Sequence, residues 1–130
     1  MARVKLTTEA VEESTYVITL AFANKAGAAV TPDSATWTLT DGAGTVINSR
    51  SAVAIAPLAD SVDVVLSGLD LAMQPLETSY GNRLFTVQAV YSSTEGASLP
   101  LKEEYQFMIR GLAVVTYRKA PERFGGFFTV

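Results

Sequence analysis

Cysteine and histidine are both absent from this 130-residue chain. Without cysteine there can be no disulfide and no thiol nucleophile. Without histidine the commonest general base and the usual zinc ligand sets are gone as well. Long apolar runs are also missing, and none approaches the roughly 20 residues that span a bilayer. The N-terminal stretch MARVKLTTEAVEEST has no apolar segment of the secretory kind, so the chain is expected to be made and assembled in a cytosol, with no membrane partner. Charge is sparse, at 18% of residues against 48% hydrophobic. That balance excludes a disordered chain, and the length suits one domain with a core of its own.

Catalytic signatures are missing too. No GxSxG elbow, phosphate loop or GxGxxG fingerprint occurs in the sequence. Serine and threonine abound, but a hydroxyl needs a base beside it to act as a nucleophile. The carboxylate pairs Glu12–Glu13 and Glu103–Glu104 are adjacent in sequence. Neighbours on a strand point to opposite faces, so each pair is read as solvated edge charge that discourages stray pairing. Asp33, Asp41 and Asp60 fall in expected loops, where calcium is conceivable. Lone aspartates in turns more commonly bond their own backbone. The expectation is therefore no enzyme, no catalytic residue, no cofactor and no metal.

What is present is a period of two. Tyr16, Ile18, Leu20 and Phe22 share one face, as do Ala35, Trp37 and Leu39. The same holds for Val62, Val64 and Leu66, for Phe85, Val87, Ala89 and Tyr91, and for Tyr105, Phe107 and Ile109. Such alternation is what half-buried antiparallel strands require, and the threonine, valine and aromatic content suits a pleated surface. DGAG at 41–44 signals a hairpin leading into TVINSR as a short partner strand. LDLAM, in the crossover before Tyr80, suits one helical turn, and STEGAS at 93–98 suits the last hairpin loop. About seven short strands at this spacing predict a two-sheet all-β sandwich, with a closed barrel as the alternative. Trp37, Leu39, Tyr80, Phe85 and Phe107 are expected in its core, with the Tyr80 hydroxyl a candidate to bond back to the crossover backbone.

The C-terminal stretch GLAVVTYRKAPERFGGFFTV outlasts that sandwich. The net charge of −3 divides into +3 from Arg110 onward and −6 before it. An acidic body with a basic, aromatic tail is built to meet another surface. Residues 1–112 are therefore assigned to the sandwich and 113–130 to a C-terminal arm. LAVVTY has strand composition and can extend a sheet edge. Val114, Tyr117, Arg118, Lys119, Arg123, Phe124, Phe127 and Phe128 are the expected contact residues. Aromatics at this density are poorly tolerated in water. They must cover either their own body or a neighbour, and the neighbour is favoured because the sandwich already has strands enough to close its core.

The stretch VITLAFANKAGAAVTPDSATWTLTDGAGTVINSR, with SVDVVLSGLDL and LPLKEEYQFMIRGL, resembles small immunoglobulin-like structural proteins of tailed bacteriophages. The likeness covers about residues 3–112 and rests on the WTLTDGAGTVIN hairpin and the DVVLSG strand. It implies an immunoglobulin-like antiparallel β-sandwich and a virion component: a head decoration or cement protein, or a part of the head–tail or tail surface. The implied partners are major capsid, tail or connector subunits and further copies of the chain, as a homo-oligomer in the particle. Nucleic acid is not expected as a partner. A surface adhesion module that binds carbohydrate, with or without calcium, is the alternative.

Overall fold

The computed structural model describes residues 3–24 and 26–112, and these form an all-β structure. The strands are β1 (Arg3–Lys5), β2 (Ala10–Val11), β3 (Thr15–Ala21), β4 (Ser34–Asp41), β5 (Val53–Ala54), β6 (Ser61–Ser67), β7 (Tyr80–Ser93) and β8 (Gly96–Arg110). One sheet runs β1-β8-β7-β4-β5, with β2 also on β8. The other holds only β3 and β6. The two enclose a single core drawn from the inward phases named above, with Tyr16 of the small sheet stacked on Phe107 of the large one at 4.8 Å. Trp37 and Phe85 stack at 5.2 Å between neighbouring strands. Trp37, Leu39, Phe85 and Phe107 are all buried.

Several expectations change. Tyr80 is no core residue: it is 48% exposed, at the first position of β7. Inward side chains of β7 fall on odd numbers, so an even-numbered residue faces out. The tyrosine hydroxyl that does bond back to backbone is that of Tyr16, which donates to the Thr8 carbonyl at 2.7 Å. TVINSR is not a strand either. Thr40 and Val46 form one isolated bridge, and Asn48 and Ser49 then take left-handed conformations that break the ladder. The pairing partner of β4 on that side is β5. The sandwich is not purely antiparallel, because β1 and β2 both pair with β8 in parallel. Parallel neighbours need a long connection, and here most of the described chain supplies it. LDLAM does hold a single 3₁₀ turn, Gly68–Leu71.

The chain crosses from the small sheet to the large one between β6 and β7, and buried charge pins that crossover at both ends. Near its start, Asp70 is buried. It accepts from Asn48 Nδ2 at 2.8 Å, Arg50 Nε at 2.7 Å and the Ser67 N–H at 3.2 Å. Arg50 in turn lies over the Trp37 ring at 5.9 Å. Near the crossover's end, Arg83 projects inward from β7 with 0% exposure. Its two terminal nitrogens donate to the two Glu77 oxygens, each at 2.8 Å. They also reach the carbonyls of Asn82 and Ala72 at 2.8 and 3.0 Å. The fork geometry suits a carboxylate, and the carbonyls satisfy the remaining protons on those nitrogens.

Gly81 makes this pairing possible. A Cβ placed there would stand 2.7 Å from Glu77 Oε1, inside van der Waals contact. Gly81→Ala is expected to cost about 1–3 kcal/mol in denaturant unfolding, as overpacking does. Glu77→Ala should cost about 3–5 kcal/mol, because it strands a buried charge. In the Glu77→Ala background, Gly81→Ala should cost almost nothing, since the atoms it strikes are gone. An additive double-mutant cycle would refute the coupling.

Candidate partner-binding edge

Among the described residues the small sheet has two unpaired edges. In the β3–β6 ladder Thr15 faces Ser67 and Ala21 faces Ser61. The bonds Phe22 N–H to Asp60 carbonyl and Gly68 N–H to Ser14 carbonyl continue the same register. Even-numbered residues of both strands therefore exchange the ladder bonds. Thr15, Val17, Thr19 and Ala21 turn their backbone N–H and C=O away from β6, and Ser61, Asp63, Val65 and Ser67 turn theirs away from β3. Among the described residues no further strand pairs with either edge. On the outer face the opposed Val17 and Val65 are 50% and 55% exposed. Beside them Thr19 Oγ1 donates to Asp63 Oδ1 at 2.7 Å.

Two separate hollows, together called the cleft below, lie along the β3 edge. At one end a groove of about 520 Å³ lies between residues 6–9 and residues 15–19. At the other, a hollow of about 160 Å³ is lined by Leu20, Phe22, Val87, Leu101, Glu103 and Tyr105, among others. The smaller hollow is bounded by β3 and by β7 and β8 of the large sheet. Leu6, Leu101 and Tyr105 are only partly covered, though they pack against the core.

The exit of the chain from the fold is fixed. Gly111 N–H donates to the Ser79 carbonyl at 2.7 Å, prolonging the pairing of β7 with β8. Leu112 N–H donates to Glu12 Oε1 at 2.9 Å. Glu12 is 1% exposed, so it is not the solvated edge charge read from the sequence. It sits in the turn between β2 and β3, where Glu13 takes a left-handed φ of 56°, so the strand argument about neighbouring side chains does not apply. All the arm residues expected to bind a partner, Val114, Tyr117, Arg118, Lys119, Arg123, Phe124, Phe127 and Phe128, lie outside the described residues, as does the arm itself.

The acidic loop residues serve local structure. Asp41 Oδ1 accepts from the Ala43 and Thr45 N–H groups at 2.9 and 3.0 Å. The Thr45 bond above all holds the Asp41 pKa below its ordinary 3.8. Asp33 accepts from the Ser92 hydroxyl at 2.7 Å, and the Asp60 carbonyl accepts from Phe22 N–H. These aspartates are not brought together. Among the described residues no group of three or more acids could hold a metal ion, and no helix is long and apolar enough to cross a membrane.

Two acids do have strongly structured surroundings. Burial pushes the Asp70 pKa up, but the bonds from Arg50, Asn48 and the Ser67 N–H outweigh it and leave the carboxyl below 3.8. For Glu77, burial likewise raises, and the Arg83 and Gln74 bonds lower by more, leaving it below 4.5. The sequence did carry a signal for Arg83, since it falls in the inward phase of its strand with Phe85 and Val87. Asp70 and Glu12 offered no comparable signal. No family model, curated protein or solved structure matches this chain.

Groups whose carboxyl pKa is depressed on folding add stability above their unfolded pKa and lose it as pH falls through the folded one. Here that window opens below about pH 4.5, the ordinary value for Glu77. The melting temperature of the native chain should exceed that of Glu77→Gln at pH 7, and the gap should close as pH falls below that point. A gap that stays constant into acid would contradict the assignment.

Proposed function

We propose that this chain is a non-enzymatic structural protein of a tailed-bacteriophage particle. In this reading it is an immunoglobulin-like module that grips neighbouring subunits through residues 113–130. The strand order supports the immunoglobulin-like part. In such sandwiches the second and fifth strands share one sheet, while the third, sixth and seventh share the other. Taking β1 and β2 together as the first strand and leaving the fourth position empty, β3 and β6 take the former roles and β4, β7 and β8 the latter, while β5 beside β4 and the pairing of β1 and β2 with β8 depart from that order. The observation that carries the binding part is the exit at Leu112. The backbone is held to the body by Gly111 and by the buried Glu12 up to the point where the basic, aromatic segment begins. A segment launched from a fixed, rigid point loses less entropy on docking than one that trails from a loose end.

The polar chemistry of the body is consistent with a scaffold. The carboxylates with depressed pKa values are each engaged by an arginine or by backbone amides that shape a turn or the crossover. Partners in this reading are major capsid, tail or connector subunits and further copies of the chain. Weak contacts repeated over many copies give firm attachment without a large interface at each one.

The test compares the full chain with residues 1–112. Both should give the same circular dichroism spectrum and melt cooperatively. Only the full chain should be taken up by particles of the phage that encodes it when each is supplied in place of the native gene. Equal uptake of the truncated chain would overturn the proposal.

A further inference from the structure

Among the described residues the small sheet holds two strands and the large one six. The free edge of β3 offers four N–H and C=O pairs, from Thr15, Val17, Thr19 and Ala21, in a regular extended run. Beneath that edge the cleft leaves Leu101 and Tyr105 partly uncovered. An added strand would satisfy both needs at once, with main-chain bonds to β3 and alternate side chains over the apolar floor. We infer that the free edge of β3 is the acceptor site for the segment Ala113–Arg118 of a second copy of this chain, added as a third strand of the small sheet. The inference rests on the proposed role of residues 113–130 and names the surface they grip.

Three observations select this occupant. First, the segment alternates correctly: Ala113, Val115 and Tyr117 supply an apolar phase for the cleft, while Val114, Thr116 and Arg118 supply the outer phase. On that outer phase Val114 would extend the exposed Val17–Val65 stripe.

Second, the charges match. Glu9 and Glu103 line the cleft, and no lysine or arginine lines it among the described residues. Arg118, Lys119 and Arg123 follow the incoming strand.

Third, the exit geometry disfavours the chain's own edge. Leu112 still continues the course of β8, past the β7–β8 ladder. To lie along its own β3 the chain would have to turn back at once. No glycine, proline, asparagine or aspartate occurs from residue 113 to Pro121, and those are the residues that make tight reversals. An extended strand of six residues spans roughly 20 Å, at about 3.3 Å per residue.

The absence of native cysteine makes the test clean. One full-length variant carries Val17→Cys, and five others each carry a single cysteine at one position from 113 to 117. Each of the five is mixed with Val17→Cys and oxidised. Strand addition predicts interchain disulfides with period two. Position 114 or 116, which shares the outward phase of Val17, should cross-link, and 113, 115 and 117 should not, because Cα atoms must lie about 4.4–6.8 Å apart with converging Cβ vectors. Adding excess full-length native chain should reduce the yield, and adding residues 1–112 with Val17→Pro should not, since proline removes an outward N–H that only the incoming strand uses.

Cross-links at every position alike would overturn strand addition. Chains carrying both cysteines that close only intrachain disulfides, with none between mixed single variants, would assign the edge to the chain's own segment and overturn the second-copy acceptor. No cross-link at any position would also overturn it. If residues 1–112 still failed to enter particles in that case, the arm would keep its role with a different protein as its acceptor.

Discussion

The ion pair between Arg83 and Glu77 is the constraint from which the rest of the arrangement follows. A fully buried guanidinium is expensive to desolvate, and here a bidentate carboxylate and two carbonyls take the four protons of its terminal nitrogens. Those partners come from the crossover between β6 and β7: Ala72 and Glu77 lie on it, and Asn82 follows at the start of β7. Arg83 can therefore be satisfied only when the crossover lies across the end of the core. At the crossover's other end, Asp70 draws Asn48 and Arg50 from the β4–β5 connection onto the same structure. An apolar plug could fill the space as well or better. It would not dictate where the connection runs, and direction is what polar geometry adds.

That fixed crossover sets how the two sheets relate. It delivers the chain from β6, in a sheet of two strands, to β7, which forms with β8 the longest hairpin of the fold. The large sheet is closed on one rim by the short β5 and on the other by the short β1 and β2. Very short rim strands present few open groups and blunt unwanted pairing. Among the described residues the small sheet has no such protection: β3 and β6 are each seven residues long and end-to-end regular. Asp63 lies centrally on β6, and charge there is a common guard against edge association. The run Thr15 to Ala21 of β3 contains no charged residue. The two edges are thus unequal, and the unguarded one borders the cleft.

Much of the architecture was legible because burial imposes a period of two that nothing else in the chain obscures. The inward phases of β3, β4, β6, β7 and β8 stand in the sequence as alternating apolar residues, and the crossover announced its 3₁₀ turn through LDLAM. Where reading failed, the physics was local or long-range. Asn48 and Ser49 break a strand that TVINSR suggests, through backbone conformations that composition does not report. The parallel pairing of β1 and β2 with β8 joins segments far apart in sequence, and strands of two or three residues are too short to show a period. Tyr80 was misplaced although its even number already set it on the outer phase. The buried Glu12 had no signature, because its role depends on a backbone amide a hundred positions later.

The carboxylates with shifted pKa values are bound into the local structure. Shifted pKa values gather at active sites when burial and neighbouring charge are left partly uncompensated, ready to be relieved by a substrate. Here the balance runs the other way for Asp41, Asp70 and Glu77. In each, the bonds that favour the charged form exceed the cost of burial, so the carboxylate is held ionised and occupied. An acid stabilised in this sense stays ionised at neutral pH and is a poor proton donor there. Among the described residues, the N–H and C=O groups of the β3 edge stand unpaired and in register beside a partly uncovered apolar floor. Such an edge has the main-chain geometry that strand addition uses.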